Sequence, residues 1–191
     1  VELSAVTRAE ISFVNITSPW WTDLDGKVQQ PYNTDGIDPG AGSSDIWIHD
    51  CYISNGDDSI AVKPSADMSS CTRNILVEDC VFERGRGCSI GSVGQGCISD
   101  VVFRNITMRS DTGGCRVKTY STSASGFVRN VTWRDINITG QAVPGLARSG
   151  GGPYCSYVPP GACSCLSVDE RYKPAPMPTE HFVNVSGLVF Q

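Results

Sequence analysis

The chain has 191 residues, and 15 Lys and Arg set against 20 Asp and Glu give a formal net charge of −5. With 18% charged and 40% apolar residues it is neither a disordered chain nor a membrane span, since no apolar run approaches the ~18 residues that a spanning helix needs. The acidic balance also excludes the basic footprint of a general nucleic-acid binder.

The first residues, Val1-Glu2-Leu3-Ser4, carry neither an initiator Met nor a signal peptide, so a mature or partial chain is expected. Beyond them an alternation of apolar and polar residues recurs six times, at residues 11–17, 46–53, 75–82, 101–108, 131–138 and 182–190. The alternation breaks phase at a polar pivot, which reads Asn15, Asp50, Asp79, Asn105 and Asp135, at spacings of 35, 29, 26 and 30. A strict two-residue period would keep one face of a strand inward. The phase break therefore predicts a corner, and Asn and Asp tolerate the left-handed backbone that a tight corner needs. One such corner per repeat predicts an all-β, right-handed parallel β-helix over residues 1–191. An immunoglobulin-like sandwich of antiparallel hairpins would not repeat one pivot in register. The residue after each pivot, Ile16, Cys51, Cys80, Ile106 and Ile136, then forms an inward stack, with Cys51 and Cys80 as buried thiols rather than a disulfide.

A third strand per coil follows at residues 58–63, 87–92, 114–119 and 165–169, and residues 33–38 supply the same position one coil earlier. Stacked strands lie about 4.8 Å apart, so equivalent positions become neighbours. Asp35 and Asp58 each precede an inward Ile by two residues, and Asp57 adjoins Asp58, so three carboxylates share one face. Like charges side by side need a reason: either they hold a cation or they perform acid–base chemistry with unevenly shared protons. Calcium takes six or more oxygen ligands, whereas the neighbouring coils offer Arg84, Arg86, Arg116 and Lys118, with Lys63 at the end of its strand, so acid–base work is favoured. Cations on a rigid face suit an anionic substrate; the alternative is that they are ordinary surface charges partnering the acids.

The nine cysteines and two histidines form no zinc pattern. Together with sequons beginning at Asn15, Asn105, Asn130, Asn137 and Asn184, they predict a secreted, extracellular chain with disulfides and N-glycans.

Asn33-Thr34-Asp35-Gly36, Gly56-Asp57-Asp58, Ser89-Ile90-Gly91-Ser92 and Arg116-Val117-Lys118, in this order and spacing, resemble the signature blocks of the polygalacturonases, glycoside hydrolase family 28. The resemblance is firm from about Pro31 to Tyr120. It implies an inverting hydrolase of α-1,4-galacturonan in pectin, with Asp57 as general acid and Asp35 and Asp58 activating the attacking water. Arg116 and Lys118 are implied to bind the galacturonate carboxylate, and Asn33, Arg86 and Lys63 are counted with the substrate-binding set. No cofactor or metal, no nucleic-acid or membrane partner, and a monomer acting on an acidic pectic polysaccharide are expected.

The sequence departs from the family pattern in three places. Gly85-Arg86-Gly87 stands where the family carries Gly-His-Gly, and Arg86 is expected to keep Asp58 ionised without shuttling a proton. The stretch from Trp20 to Tyr32 is about half a coil short. A Gly- and Pro-rich insertion runs from Gly150, with Cys155–Cys163 as its candidate closure and Tyr154, Tyr157 and Tyr172 as candidate stacking tyrosines. Ser59 and the Val62-Lys63 strand end favour exo action. A hydrolase of rhamnogalacturonan or substituted pectin, or an impaired pectin-binding relative or truncated product, are the alternatives. The start at Val1 and the end inside a strand at Gln191 predict part of a larger solenoid, lacking N-terminal coils and a C-terminal cap.

Overall fold

A computed structural model describes residues 1–109, 113–120, 125–139, 166–169 and 183–191. The chain opens with β1 (Glu2–Ser4), β2 (Thr7–Ser12) and β3 (Asn15–Thr17), then a short hairpin of β4 (Trp21–Thr22) and β5 (Val28–Gln29). The next coil holds β6 (Asp38–Gly40), β7 (Ser44–His49), β8 (Tyr52–Ser54) and β9 (Ile60–Val62). After it come β10 (Thr72–Glu83), β11 (Cys88–Val93), β12 (Cys97–Arg109), β13 (Cys115–Thr119), β14 (Phe127–Ile138), β15 (Leu166–Asp169) and β16 (Asn184–Phe190).

All sheet pairings are parallel except β4 with β5. One sheet stacks β16-β14-β12-β10-β7-β2, with β3 and β8 continuing beside β10, and a second stacks β15-β13-β11-β9. This is a parallel β-helix, and the two sheets are the walls of its coils.

The inward positions align in register. Ile48, Val77, Phe103 and Trp133 form one column, and the rings of Phe103, Trp133 and Phe190 stack at centroid distances of 5.7 and 4.7 Å. Ile37, Ile60, Ile90 and Val117 are fully buried on the opposite wall. Filling the interior in layers is what holds coils whose strands hydrogen-bond to the coils above and below.

The corners explain the phase breaks. Asp50, Asp79, Asn105 and Asp135 have φ of 48–54°. A second left-handed corner lies five residues before each, at Asp45, Asn74, Asp100 and Asn130. Side chains bridge the coils along these corners: the Asn105 amide donates to Asp79 at 2.5 Å, Asn130 to Asp100 at 3.0 Å, and Asn74 to Asp45. The first coil corrects the expected pivot. Asn15 pairs in register with Tyr52, not Asp50, and the corner residue is Phe13, with φ of 57°. Val14 therefore occupies the position equivalent to Cys51, while Ile16 stacks on Ile53.

Cys51, Cys80 and Cys88 are buried free thiols, and burial pushes Cys80 up to about 12. Cys71 and Cys97 form a disulfide, a pairing the spacing did not suggest. The insertion from Gly150, the Cys155–Cys163 closure and Tyr154, Tyr157 and Tyr172 lie outside the described residues.

Candidate active site

The third-strand wall gathers the chemistry. Ile37, Ile60 and Cys88 are in register in successive coils, so Asp35, Asp58 and Arg86, each two residues earlier, form one column. One carboxylate oxygen from each of Asp35, Asp57 and Asp58 lies within 4.8 Å of the others.

A backbone network fixes the loop that carries the aspartate pair. The buried Asn55 donates its amide to the Thr34 carbonyl at 2.7 Å and to the Asp58 carbonyl at 2.8 Å. Thr34 Oγ1 accepts the Gly56 N–H at 3.0 Å and donates to the Pro31 carbonyl at 2.8 Å. A Cβ at Gly56 would sit 2.2 Å from the Pro31 oxygen, and one at Gly85 would sit 2.1 Å from Asn55 Oδ1. Both motif glycines are therefore dictated by close approach. The short stretch before Asn33 takes part as well: Gln30 donates to the Gly56 carbonyl and Trp20 Nε1 donates to the Asn55 carbonyl at 3.0 Å.

Asp58 is the most enclosed of the three, with its side chain 1% exposed. Its Oδ1 accepts from Ser89 Oγ at 2.7 Å and from Arg116 at 2.8 Å, and its Oδ2 accepts from Lys118 Nζ at 2.5 Å. Burial alone would push Asp58 up, but the charges of Lys118 and Arg116 and these hydrogen bonds hold it below the usual carboxylate range. Lys118 is drawn down by burial and by neighbouring Arg116, against the pull of Asp58.

Asp57 has the opposite setting. Burial pushes its carboxyl up, Arg86 works against that, and Asp58 and Asp35 add to the rise. Arg86 stands 3.4 Å from Asp57, while both oxygens of Asp58 are committed to Ser89, Arg116 and Lys118. The expectation that Arg86 keeps Asp58 ionised is therefore corrected. Strand register alone places Arg86 beside Asp58, but its side chain turns to the preceding residue, whose carbonyl already accepts the Arg86 N–H at 2.7 Å.

Lys63 is a partner of the acids. Its Nζ donates to Asp35 Oδ2 at 2.9 Å and lies 3.8 Å from Asp38 Oδ2. Burial would lower Lys63, but the hydrogen bond to Asp35 and the charges of Asp38 and Asp35 raise it. Asp38, which the sequence reading passed over, is pushed up to about 7 by burial, against the pull of Lys63 and aided by Asp35. Arg84 turns away from the cluster and places its guanidinium 5.8 Å over the Trp20 ring. Asn33 is exposed, with φ of 52° turning the chain into Thr34.

Four acids, Asp35, Asp38, Asp57 and Asp58, are thus interleaved with four cations, Lys63, Arg86, Arg116 and Lys118. The carboxylate trio has the donor atoms for a cation, but charges already present neutralise it, which suits proton transfer better than metal binding. Asp57, protonated more readily than usual, and ionised Asp58 differ as an acid and a base must.

The family described as Glycosyl hydrolases family 28 matches residues 6–147. A probable polygalacturonase of Arabidopsis thaliana is 33% identical over 142 residues, which is 72% of this chain and 27% of that protein. An endo-polygalacturonase of Pectobacterium carotovorum is 38% identical over 112 residues, covering 59% of this chain and 27% of its own. A probable rhamnogalacturonase C of Aspergillus niger is 34% identical over 112 residues, covering 58% and 22%. In fold, the chain is similar to the crystal structure of endo-xylogalacturonan hydrolase from Aspergillus tubingensis, with a TM-score of 0.63, 21% identity, and coverage of 89% of this chain and 38% of that one. The chain spans about a quarter of the length of these curated relatives.

Proposed function

The chain belongs to family 28 of the glycosyl hydrolases, and on that footing we propose that it hydrolyses the α-1,4-galacturonosidic bonds of pectic galacturonan by inverting acid–base chemistry. The observation that carries this reading is the contrast within the carboxylate trio, where burial raises Asp57 while Lys118 and Arg116 hold Asp58 ionised. Asp57 donates its proton to the glycosidic oxygen as the bond from that oxygen to the anomeric carbon breaks. Water attacks that carbon from the opposite face and gives its proton to Asp35, the more accessible base at 24% side-chain exposure. Asp58 shares in activating this water, and its fixed negative charge favours the positive charge that develops on the sugar ring. Arg116 and Lys118 recognise the galacturonate carboxylate, with Asp58 holding them in place.

The nearest carboxylate oxygens approach within 4.8 Å, closer than the roughly 6.5–9.5 Å between the carboxyl groups of inverting pairs. Inversion is favoured because both oxygens of Asp58 are already bonded, so it can polarise a water but is poorly placed to attack the sugar, while Asp35, held by Lys63 through one oxygen, takes the proton. Exo action, secretion with N-glycans, and a monomeric state complete the reading.

A second reading rests on Arg86. A permanent cation 3.4 Å from the acid opposes its protonation, so a pectin-binding protein with impaired turnover is the alternative. Release of reducing ends from polygalacturonate and from rhamnogalacturonan, with Asp57→Asn as the control, separates these readings. Release from polygalacturonate that is lost in Asp57→Asn supports the galacturonan hydrolase. Release from rhamnogalacturonan alone moves the substrate, and binding without release selects the impaired relative.

A further inference from the structure

We propose that the outer face of the eight-stranded sheet carries a second uronate-binding track, walled by Arg104 and Arg134 and ending on Trp47, which holds a stretch of galacturonan away from the candidate active site. The choice of galacturonan rests on the functional reading above; the site rests on its own geometry.

Trp47, Leu76, Val102 and Thr132 point outward and lie in register on β7, β10, β12 and β14. At about 4.8 Å per strand they form a platform about 14 Å long. The next outward column reads His49, Glu78, Arg104 and Arg134. Leu76, Val102 and Thr132 of the first column, Arg104 and Arg134 of the second, and the corner residues Asn74 and Asp100 line a groove of about 370 Å³, with Trp47 in register just beyond it.

The charges along the wall are unevenly matched. Glu78 accepts from Trp47 Nε1 at 2.8 Å and from Arg104 Nε, so it is shared between the indole and one guanidinium. Arg134 follows Arg104 in register, cation beside cation. Its Nε has no hydrogen-bond partner, so among the described residues this guanidinium is not tied to a carboxylate as that of Arg104 is.

The complement of this groove is an anion with an apolar face. A uronate ring offers C–H groups to Leu76 and Val102, and its carboxylate accepts a fork of N–H donors from Arg134. Trp47, 41% exposed and stacked on His49 at 3.9 Å between ring centroids, extends the apolar platform at the end of the track. Asp100 on the opposite wall repels carboxylates and accepts from hydroxyls, so the acid groups are directed to the arginine side.

The test is retardation in native gels containing polygalacturonate, in an Asp57→Asn background, with mobility in neutral dextran gels as reference. Adding Arg134→Gln or Arg104→Gln is expected to weaken retardation roughly tenfold, the loss of one charge-assisted contact, with Arg134→Lys keeping part of it and thermal melting unchanged. Retardation unaffected by both Gln variants overturns the track. Hydrolysis of trigalacturonate by protein with Asp57 intact reads the candidate active site separately. If hydrolysis is absent while retardation depends on Arg134, the functional reading fails and the track stands. If hydrolysis is present while retardation ignores Arg134, the track fails.

Discussion

Asp57 and Asp58 are chemically identical neighbours with opposite settings, and the difference comes from what the next coils bring to each. Asp58 is bonded to Arg116, Lys118 and Ser89, whereas Asp57 faces Arg86 at 3.4 Å and feels a smaller pull from Lys118. Arg86 lowers the Asp57 carboxyl against the effect of burial, so Arg86→Gln should let the acid stay protonated to higher pH. The basic limb of the kcat/KM profile on polygalacturonate is expected to move up in pH, and Arg86→His should raise turnover; a limb that stays in place would show that Arg86 does not act on the acid. Asp38 gives a stability prediction of definite sign. Its folded value of about 7 lies above the ~3.9 of an unfolded aspartate. Between these values the folded chain holds a proton that the unfolded chain has lost, so stability falls as pH rises from about 4 to about 7. Denaturant unfolding across that window should show a shallower fall in Asp38→Asn than in the native protein. The trio of aspartates and the cations facing them were legible from residue order because strand register determines Cα neighbours. Which carboxylate Arg86 and Lys63 each face, Asp57 and Asp35 respectively, was not, because long side chains choose among several carboxylates within reach.

At the level of elements, the corners were legible wherever Asn or Asp occupies them. Asp50, Asp79, Asn105 and Asp135 turn the chain as their residue type suggests. In the first coil the polar residue and the corner separate: Asn15 lies in β3, and Phe13 takes the left-handed turn although its ring is 80% exposed. No residue-type signal marks an aromatic corner, which is why the register there was misread by two positions. A bulky L-residue in this conformation costs about 1–2 kcal/mol, and Phe13 has little burial to lose. Phe13→Asn should therefore stabilise the protein by about 1 kcal/mol, measured as a higher denaturant midpoint with an unchanged slope. The second set of corners, at Asp45, Asn74, Asp100 and Asn130, leaves no phase break in the sequence, because each falls one residue before the alternation begins. The stretch before Asn33 is short for a coil, and its packing under the aspartate loop through Trp20, Gln30 and Pro31 depends on contacts no periodicity reveals.

For the whole molecule, the net charge of −5 conceals a local balance. Four acids and four cations are spread over four successive coils of one wall, and the long strands on the other wall carry the in-register arginines. The solenoid makes this possible, since stacking converts a repeat in sequence into a column in space. The central claim is that this column runs an inverting hydrolysis with Asp57 as the acid. Proton NMR of polygalacturonate during the first turnovers tests it most directly, by the anomeric configuration of the new reducing end. The β-anomer is expected first, mutarotating later to the equilibrium mixture, with the signal lost in Asp57→Asn. First appearance of the α-anomer, or undiminished product from Asp57→Asn, would contradict it.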